Sequence, residues 1–290
     1  MLSKIIINGL VSGGIYAVLA VGFSLIFGVG KIMNMAHTAF YMVAAYMIFY
    51  ATSMLGLPLP VSLVAAIILT TVLGILCFIL FFNRIKHHDT AVMIISVALA
   101  IIFQELLFIF FGGHYRGVPP FARGFLEILG LRVSYQHLIA ICTSVCILVA
   151  LWVLFKKTSL GTAIRAVAED REIANLMGMN VDRILLIVMA ISVGLAGLAG
   201  GVIAPIYMLS PLMWQQPLAI VLAAVVLGGL GSIGGSVLGS FILGFIDTVV
   251  IFLVPGGAFL QGAVSMGVMV LVLLLRPEGL FGVVFEEERL

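Results

Sequence analysis

The sequence predicts an all-α protein, a polytopic integral membrane helix bundle of about eight to ten transmembrane helices. The first observation is composition: 63% of the 290 residues are hydrophobic and only 9% are charged, and the mean hydropathy is +1.33. A soluble domain holds roughly 45–50% apolar and about 25% charged residues. One hydrophobic core cannot bury this excess. The composition therefore excludes a soluble enzyme, a disordered chain and a disulfide scaffold.

The second observation is that apolar runs long enough to cross a bilayer recur along the whole chain. A membrane-crossing helix needs about 20 mainly apolar residues. We expect the first run to remain as a span rather than to be removed as a signal peptide. The expected spans are 5–27, 35–54, 61–82, 91–111, 137–155, 184–209, 219–237, 238–254 and 260–275. Because the connections are short, residues 1–290 are expected to form a single transmembrane domain.

Lysine and arginine are unevenly divided between the two sets of alternating loops. With nine spans, ten of these residues fall in the set that includes 156–183 and the C-terminus, and four fall in the other set. The inner loops of membrane proteins carry the excess of Lys and Arg. The distribution therefore predicts a cytoplasmic C-terminus and an N-terminus on the outer side.

The loop 156–183 has the pattern of a surface helix. Ser159 is the expected N-cap, and Gly178 is the expected residue just beyond the helix end. Arg165 and Glu169 are four residues apart, as in a helical ion pair, beside a strip of apolar residues that ends at Met177. Such a helix lies along the membrane surface and is too polar to span. It is either a solvated connector or a docking helix for a soluble partner.

Glycine recurs at helical spacing, as in Gly231, Gly235 and Gly239. Small residues four apart let helix backbones approach closely inside a membrane. The alternative is unwound backbone that lines a transport path. On that alternative, the Gly-containing segments 28–37 and 228–236 are expected to be broken or re-entrant.

A few polar side chains fall within the expected spans. A charge at mid-helix costs about 2.5–3.5 kcal/mol on insertion scales, so each one needs a reason. Glu105, next to Gln104, is expected one or two turns from the outer end of its span. Asp247 is expected either to form a structural hydrogen bond or to line a path. Asn34 and His37 stand at the head of the second expected span.

The residue patterns of common enzymes and metal sites are absent from the sequence. It has no G-K-[ST] phosphate loop, no HExxH motif, no nucleophile elbow and no cysteine spacing for a metal. We therefore expect no enzyme activity, no metal, no bound cofactor and no nucleic-acid partner. Uphill transport would then draw its energy from a partner protein or from an ion gradient.

Five short motifs follow one another along nearly the whole chain. They are NMAHTAFYMVAAY (34–46), GTAIRAVAEDREIANLMGMNVDRI (161–184), GLAGLAGGVIAPIY (194–207), VVLGGLGSIGGSVLG (225–239) and LLLRPEGLFG (273–282). Each is weak alone, but all five in order make a specific signal. Together they resemble the LivH-type permease of branched-chain amino acid ABC importers.

The resemblance implies a permease subunit of a multi-subunit importer in a bacterial or archaeal inner membrane. Its partners would be ABC ATPase subunits that bind the ATP, a second similar permease, and a periplasmic or extracellular solute-binding protein. A cytoplasmic coupling helix over 160–178 would dock on an ATPase. The residues expected to couple are Gly161, Arg165, Glu169, Glu172, Ala174 and Gly178. The residues expected near the translocation path are Asn34, His37, Gly228, Gly229, Gly231 and Ser232.

Branched-chain amino acids are the solutes that the resemblance implies. The chain departs from the family pattern at Thr38, Ala39, Ile220 and Gly234. These positions fall where a solute would pass, so urea, short amides and other small solutes stay open as alternatives. An ion-coupled carrier is the alternative mechanism, and it would be expected to pair acidic residues across spans, for which only the separated Glu105 and Asp247 are available.

Overall fold

The computed structural model describes residues 2–86, 88–128, 131–276 and 279–281. The α-helices are α1 Leu2–Gly30, α2 His37–Ser53, α3 Leu59–Cys77, α4 Asn83–Ile85, α5 Asp89–Phe111, α6 Tyr135–Lys157, α7 Ser159–Glu169, α8 Arg171–Leu176, α9 Val181–Ile203, α10 Gln215–Gly228, α11 Ile233–Leu253 and α12 Gln261–Leu275. A π-helix at Phe78–Phe82 joins α3 to α4, and a 3-10 helix lies at Gly257–Phe259. Strands β1 Phe125–Ile128 and β2 Leu131–Ser134 form an antiparallel hairpin that the sequence pattern did not predict.

Six of the described helices are long and apolar enough to cross a membrane: α1, the continuous α3–α4 helix, α5, α6, α9 and α11. The all-α membrane bundle is thereby confirmed. The helices α2, α10 and α12 are shorter, with 17, 14 and 15 residues, so each extends only about 21–25 Å. Each of the nine expected spans overlaps one of these nine helices. The expected boundary at 237/238 is wrong, because α10 ends at Gly228 and α11 begins at Ile233.

Helix α1 lies against α6, α9, α10 and α11 and is buried along most of its length. Glycines bring it into direct backbone contact with α11. A Cβ added to Gly244 would lie 2.6 Å from the Cα of Gly13, and one added to Gly9 would lie 2.5 Å from the ring of Phe245. No hydrophobic force drives helices together in lipid. Small residues instead allow close van der Waals packing, which stabilises the helix pair. Helix α1 is therefore the centre of the bundle, and α11 packs closely along one side of it.

After α1 the chain turns back into the bundle before α2 begins. Lys31 adopts a left-handed φ of +49°, and residues 32, 34 and 36 are buried. Non-helical backbone is tolerated at membrane depth only where protein satisfies its polar groups. Here the Asn34 Oδ1 accepts from the Ala36 amide at 3.1 Å, and the Ser96 Oγ accepts from the Met35 amide at 3.0 Å. The expected break within 28–37 is therefore present, as a largely buried connection between α1 and α2.

The two ends of the bundle differ in charge. Helices α7 and α8 lie at one end, which we call the α7–α8 face; the ends of α1, α4, α6, α10 and α12 lie there too. The basic residues at this face are Lys31, Arg84, Lys86, Lys156, Lys157, Arg165, Arg171, Arg183 and Arg276. The opposite end carries Lys4, Arg116, Arg123 and Arg132. The division between loop sets expected from sequence thus corresponds to two faces of the folded chain.

Candidate coupling and transport site

The segment expected to form one helix over 160–178 forms two helices, α7 and α8. Asp170 has an extended backbone, with φ −151° and ψ 116°, and its side chain accepts from the Ile173 amide at 2.9 Å. An aspartate that caps a following helix ends the preceding one. Thr158, rather than the expected Ser159, caps α7, and its Oγ1 accepts from the Gly161 amide at 3.0 Å. The expectation of a single continuous helix is therefore wrong.

Helix α7 folds back tightly onto the end of α6. A Cβ added to Gly161 would lie 2.3 Å from the carbonyl oxygen of Leu154, so no larger residue fits this corner. Arg165 donates from its guanidinium to the carbonyl of Phe155, one of the last four carbonyls of α6. Among the described residues Arg165 and Glu169 make no ion pair, contrary to their spacing. The guanidinium instead holds α7 against α6.

Helix α8 is fastened to the end of α1. Arg171 donates from Nε to the carbonyl oxygen of Val29 at 3.1 Å, and Ala174 is buried. Burial lowers the pKa of the Arg171 guanidinium from its ordinary value, and the Asp89 carboxylate opposes that shift. An arginine stays charged in proteins, so its hydrogen bond to the end of α1 is charge-assisted. The hydrogen bond thus connects α8 directly to the end of α1.

The outer surface of α8 is apolar and exposed. Leu176 is 85% exposed, Met177 is 78% exposed, and Ile173 lies beside them. Met177 was expected on the apolar strip of a single helix, but a second helix begins after Asp170, and Met177 lies exposed at its end. Gly178 follows with φ +84°, which confirms that it ends the helix.

A groove of about 600 Å³ lies beside this surface, between α8, the start of α9 and the end of α4. Polar and charged residues that include Glu172, Asn175 and Lys86 line it together with apolar ones. An ion pair between Lys86 and Asp182 ties α4 to α9 next to it. The exposed apolar surface of α8 and this groove together form a surface on which a soluble protein could dock.

The glycines expected near a path form a tight connection between α10 and α11. A Cβ added to Gly228 would lie 2.2 Å from the carbonyl carbon of Gly235. Gly229 and Gly231 have φ of +96° and +85°, which only glycine adopts freely. The Ser232 Oγ accepts from the Gly235 amide at 3.1 Å and begins α11. The structure thus combines non-helical backbone at Gly229 and Gly231 with close helix packing from Gly235 onward. That these glycines line a transport path stays a prediction.

The segment 279–281 packs on this glycine connection. The Leu280 amide donates to the carbonyl of Leu227 at 2.7 Å, and the Phe281 amide donates to that of Gly228 at 3.2 Å. These carbonyls belong to the last turn of α10 and have no partner within the helix. The motif LLLRPEGLFG therefore supplies, in its described residues 279–281, a backbone cap for α10.

A cavity of about 440 Å³ separates α7 from the glycine connection. Ile164, Arg165 and Ala168 of α7 line one wall, and Gly231 and Ser232 line the opposite wall. The end of α1 forms part of the remaining lining. The cavity is therefore the space that separates α7 from the α10–α11 connection.

Asn34 and His37 are fully buried between α1, α2 and α9. The His37 Nε2 donates to the carbonyl oxygen of Leu19 at 3.0 Å, and its Nδ1 lies 3.3 Å from the Ser192 Oγ. The Ser192 hydroxyl donates to the carbonyl oxygen of Gly22 at 2.8 Å. These contacts favour a structural role at the start of α2. Their expected place near a translocation path stays a prediction.

Sequence reasoning missed a cavity of about 400 Å³ at the end of the bundle opposite α7 and α8. Its polar lining residues are Ser12, Tyr16, Tyr41, Tyr207, Gln216 and Gln261, and its apolar lining includes Ile15, Leu19, Ile203 and Ile251. These side chains come from α1, α2, α9, α10, α11, α12 and the loop after α9. No local pattern in the sequence joins them, so only the packed bundle reveals the cavity.

The polar residues expected within spans have different surroundings. The Gln104 Oε1 accepts from the Trp214 indole at 2.9 Å, and Gln104 donates from Nε2 to Glu105 at 3.1 Å. Glu105 itself points outward from α5. Asp247 is 1% exposed and accepts from the Ser265 hydroxyl at 2.7 Å, which joins α11 to α12. No hydrogen bond or ion pair between described residues links the two carboxylates.

A helix bundle with broken membrane segments, cavities towards both faces and a pair of surface helices defines a polytopic membrane permease. Comparison with known proteins then identifies the family. The chain belongs to the family described as branched-chain amino acid transport system / permease component, whose family model matches residues 5–274.

Two relatives and one solved structure illustrate the similarity. The BraD permease of the high-affinity branched-chain amino acid transport system of Pseudomonas aeruginosa is 27% identical, over 96% of this chain and 94% of that protein. The corresponding LivH permease of Salmonella typhimurium is 29% identical, over 95% and 94%. In structure, a chain of PsaBC from Streptococcus pneumoniae, solved in complex with Fab, aligns with a TM-score of 0.55 at 15% identity, covering 96% and 97%. At that identity the structural match shows the fold alone.

Proposed function

We propose that this chain is the membrane subunit of an ABC importer and that it forms, with a second permease, the path for branched-chain amino acids. On this proposal residues 1–290 act as one transmembrane permease domain without enzyme activity. ATP is bound by separate ATPase subunits, and a solute-binding protein delivers the amino acid. Family membership supports the transport class, and the relatives BraD and LivH support the choice of solute.

The α7–α8 face is proposed to be cytoplasmic in a bacterial or archaeal inner membrane. Nine described Lys and Arg residues lie at this face against four at the other. The positive-inside rule favours the cytoplasm for the basic side. On that orientation the C-terminus is cytoplasmic and the cavity lined by Tyr16 and Gln216 opens towards the solute-binding protein.

Coupling to the ATPase is proposed to occur through α7 and α8. The observation that carries this proposal is the exposed apolar surface of α8 around Leu176 and Met177, on a helix fastened to α1 by Arg171. Closure of the ATPases would displace both α8 and α7. The displacement would reach α1 through Val29 and the glycine connection through the cavity beside α7. Of the expected coupling residues, Gly161 and Arg165 would hold the α6–α7 corner, Ala174 would anchor α8, and Glu169, Glu172 and Gly178 would lie towards the ATPase.

The cavity near the outer end has a lining suited to an amino acid with an apolar side chain. Phenol and amide groups of residues such as Tyr41 and Gln261 provide hydrogen-bonding partners for polar groups, and aliphatic side chains such as Ile203 provide an apolar wall. Small-molecule sites combine an apolar lining with a few polar groups in this way. The solute would then leave near Gly228, Gly229, Gly231 and Ser232 at the inner end.

The outward face of α5 is proposed to contact the second permease. Glu105 lies on this face about 9 Å from the end of the helix at Phe111, among exposed apolar residues that include Ile101 and Ile109. A carboxylate facing lipid costs about 2.5–3.5 kcal/mol at mid-helix, and acidic residues in spans almost always face protein or water. A second permease at this face would remove Glu105 from lipid.

Uptake by the assembled transporter in lipid vesicles tests the proposed solute. We expect ATP-dependent accumulation of radiolabelled leucine, isoleucine and valine that excess unlabelled branched-chain amino acid abolishes. Competition by urea or short amides in place of these amino acids would identify a different solute within the same class. Accumulation that follows an ion gradient and ignores ATP would contradict the importer itself.

A further inference from the structure

A groove of about 530 Å³ runs along the membrane-facing surface between α6 and α11. Its floor is formed by α1 at Val21, and its walls include Val149 and Trp152 of α6 and Val237 and Phe241 of α11. Almost all of this lining is apolar. At Gly234 the wall is open, because a Cβ added there would meet no atom within 4 Å. The groove therefore has the character of a channel for a hydrocarbon chain along the bundle.

Two cations stand where the groove reaches the α7–α8 face. Lys156 and Arg165 both line it, and both are exposed. The Lys156 Nζ lies 5.1 Å from the centroid of the Trp152 ring. Among the described residues neither cation forms an ion pair with a carboxylate. Two positively charged side chains thus stand at one end of an apolar groove.

Trp152 indicates the level at which this end of the groove lies in the membrane. The side chain is half exposed and lies one turn before Lys156. Tryptophan is enriched at the level of the lipid headgroups, and lysine near the end of a span extends towards the same level. The two cations therefore stand at headgroup depth, with the groove extending from them into the hydrocarbon region.

We propose that the groove between α6 and α11 binds an anionic phospholipid. One acyl chain lies along α1 between the two walls, and the phosphate is bound by Lys156 and Arg165. Basic pockets between membrane helices at the inner surface bind anionic lipid headgroups by the same chemistry. The proposal needs both features of the groove, since a zwitterionic lipid would use only the apolar part.

The position of Arg165 gives this lipid a place beside the coupling segment. The same residue lines the cavity between α7 and the glycine connection and donates to the carbonyl of Phe155. A phosphate at Arg165 would therefore touch the corner that joins α6 to α7. The lipid would act as an additional contact that holds this corner in place.

Binding of phosphatidylglycerol and phosphatidylcholine to the purified, delipidated transporter, measured by native mass spectrometry, tests the proposal. We expect phosphatidylglycerol to be retained and phosphatidylcholine to be lost. Lys156→Gln and Arg165→Gln are each expected to weaken phosphatidylglycerol binding about fivefold, the ratio for ~1 kcal/mol per basic residue near the surface. Arg84→Gln removes an exposed charge at the same face, outside the groove, and should leave binding unchanged.

A groove-filling variant separates the apolar contribution from the charge. Gly234→Leu has open space for its side chain and keeps both cations, so it is expected to reduce phosphatidylglycerol retention without loss of folded protein. Equal retention of the two lipids by the unaltered transporter would overturn the proposal. So would phosphatidylglycerol binding that neither Lys156→Gln nor Arg165→Gln weakens, or a cross-link from position 234 to another protein chain in place of lipid.

Discussion

Gly178 combines two properties that make it informative for coupling. Its φ of +84° is strained for other residues, yet a side chain there would meet no atom within 4 Å. A substitution therefore changes the backbone after α8 rather than the packing of the bundle. Gly256 shares both properties, with φ +74° and open space, at the opposite end of the molecule.

We expect Gly178→Val to abolish ATP-driven uptake while the protein remains inserted and abundant. A residue with a Cβ costs roughly 1–2 kcal/mol in the left-handed region, and the chain relieves that strain by moving the end of α8. Gly256→Val carries the same strain away from the α7–α8 face and is expected to retain uptake. Immunoblots of membranes report the amount of protein. Normal uptake by Gly178→Val would remove this residue from the coupling site.

Gly234 and Gly235 are neighbours in α11, but only Gly235 is required by close helix packing. A Cβ on Gly235 would lie 2.0 Å from the carbonyl oxygen of Gly228, whereas a Cβ on Gly234 has open space. Gly235→Ala is therefore expected to separate α10 from α11 and to abolish the monodisperse folded protein. Gly234→Ala is expected to raise stability by about 0.5–1 kcal/mol, since alanine favours a helix. Size-exclusion profiles and melting curves in detergent measure both, and equal behaviour of the two variants would contradict the packing.

The local sequence predicted the structural role of some residues in 156–183 but not of others. Gly178 was predicted correctly because a glycine after an apolar helical strip is a common way to end a helix. The capping role of Asp170 was missed, since Asp170 also continues the helical pattern of its neighbours. The outward position of Met177 follows from that cap and could not be predicted without it.

At the scale of elements, α7 and α8 behave as two short helices with separate anchors. Arg165 joins α7 to the end of α6, and Arg171 joins α8 to the end of α1. Each guanidinium binds a carbonyl that its own helix cannot satisfy. The coupling segment thus reaches two spans independently, which a single straight helix would not do.

Removal of the second anchor is expected to uncouple the transporter. Arg171→Leu leaves the carbonyl of Val29 without its partner and should reduce solute uptake per ATP hydrolysed by about tenfold or more, from ~1.5 kcal/mol or more for a charged hydrogen bond. Arg171→Lys keeps a cation and is expected to retain part of the coupling. Parallel uptake and ATPase assays in vesicles measure the ratio. An unchanged ratio for Arg171→Leu would show that α8 acts without this anchor.

Hydropathy predicted the helix ends correctly where a helix leaves the apolar run that crosses the membrane. It predicted them wrongly where glycines interrupt an apolar run. The long spans α5 and α6 agree with their apolar runs to within a few residues. The boundary between α10 and α11 was misplaced because Gly231 and its neighbours are no less apolar than the helices beside them. The hairpin at 125–134 was missed because its strands are only four residues long each.

At the scale of the whole molecule, Glu105 is a charged side chain that faces outward from α5, away from either end of the helix. Glu105 would face lipid if the chain acted alone. The face of α5 around it is therefore where the second permease is expected. In the sequence, the charge of Glu105 within an apolar run is the feature that indicates such a contact between two permeases.

Protection of this face in the assembled transporter tests that expectation. In a background with the three cysteines replaced, Ile109→Cys, 76% exposed and one turn from Glu105, is expected to resist a lipid-soluble thiol reagent. Ile68→Cys, an exposed position on α3, is the control and should react fully. Reaction of both positions at equal rates would contradict an interface on α5.

Separate ATPases that dock on α7 and α8 are proposed to drive this permease. The most direct measurement is gentle solubilisation of native membranes, affinity capture of this chain, and mass spectrometry of the captured proteins. We expect an ATPase with a G-x-x-x-x-G-K-[ST] phosphate loop together with a second permease, and we expect Gly178→Val to reduce the amount of ATPase recovered. Reproducible recovery of this chain alone, active in transport without an ATPase, would contradict the account.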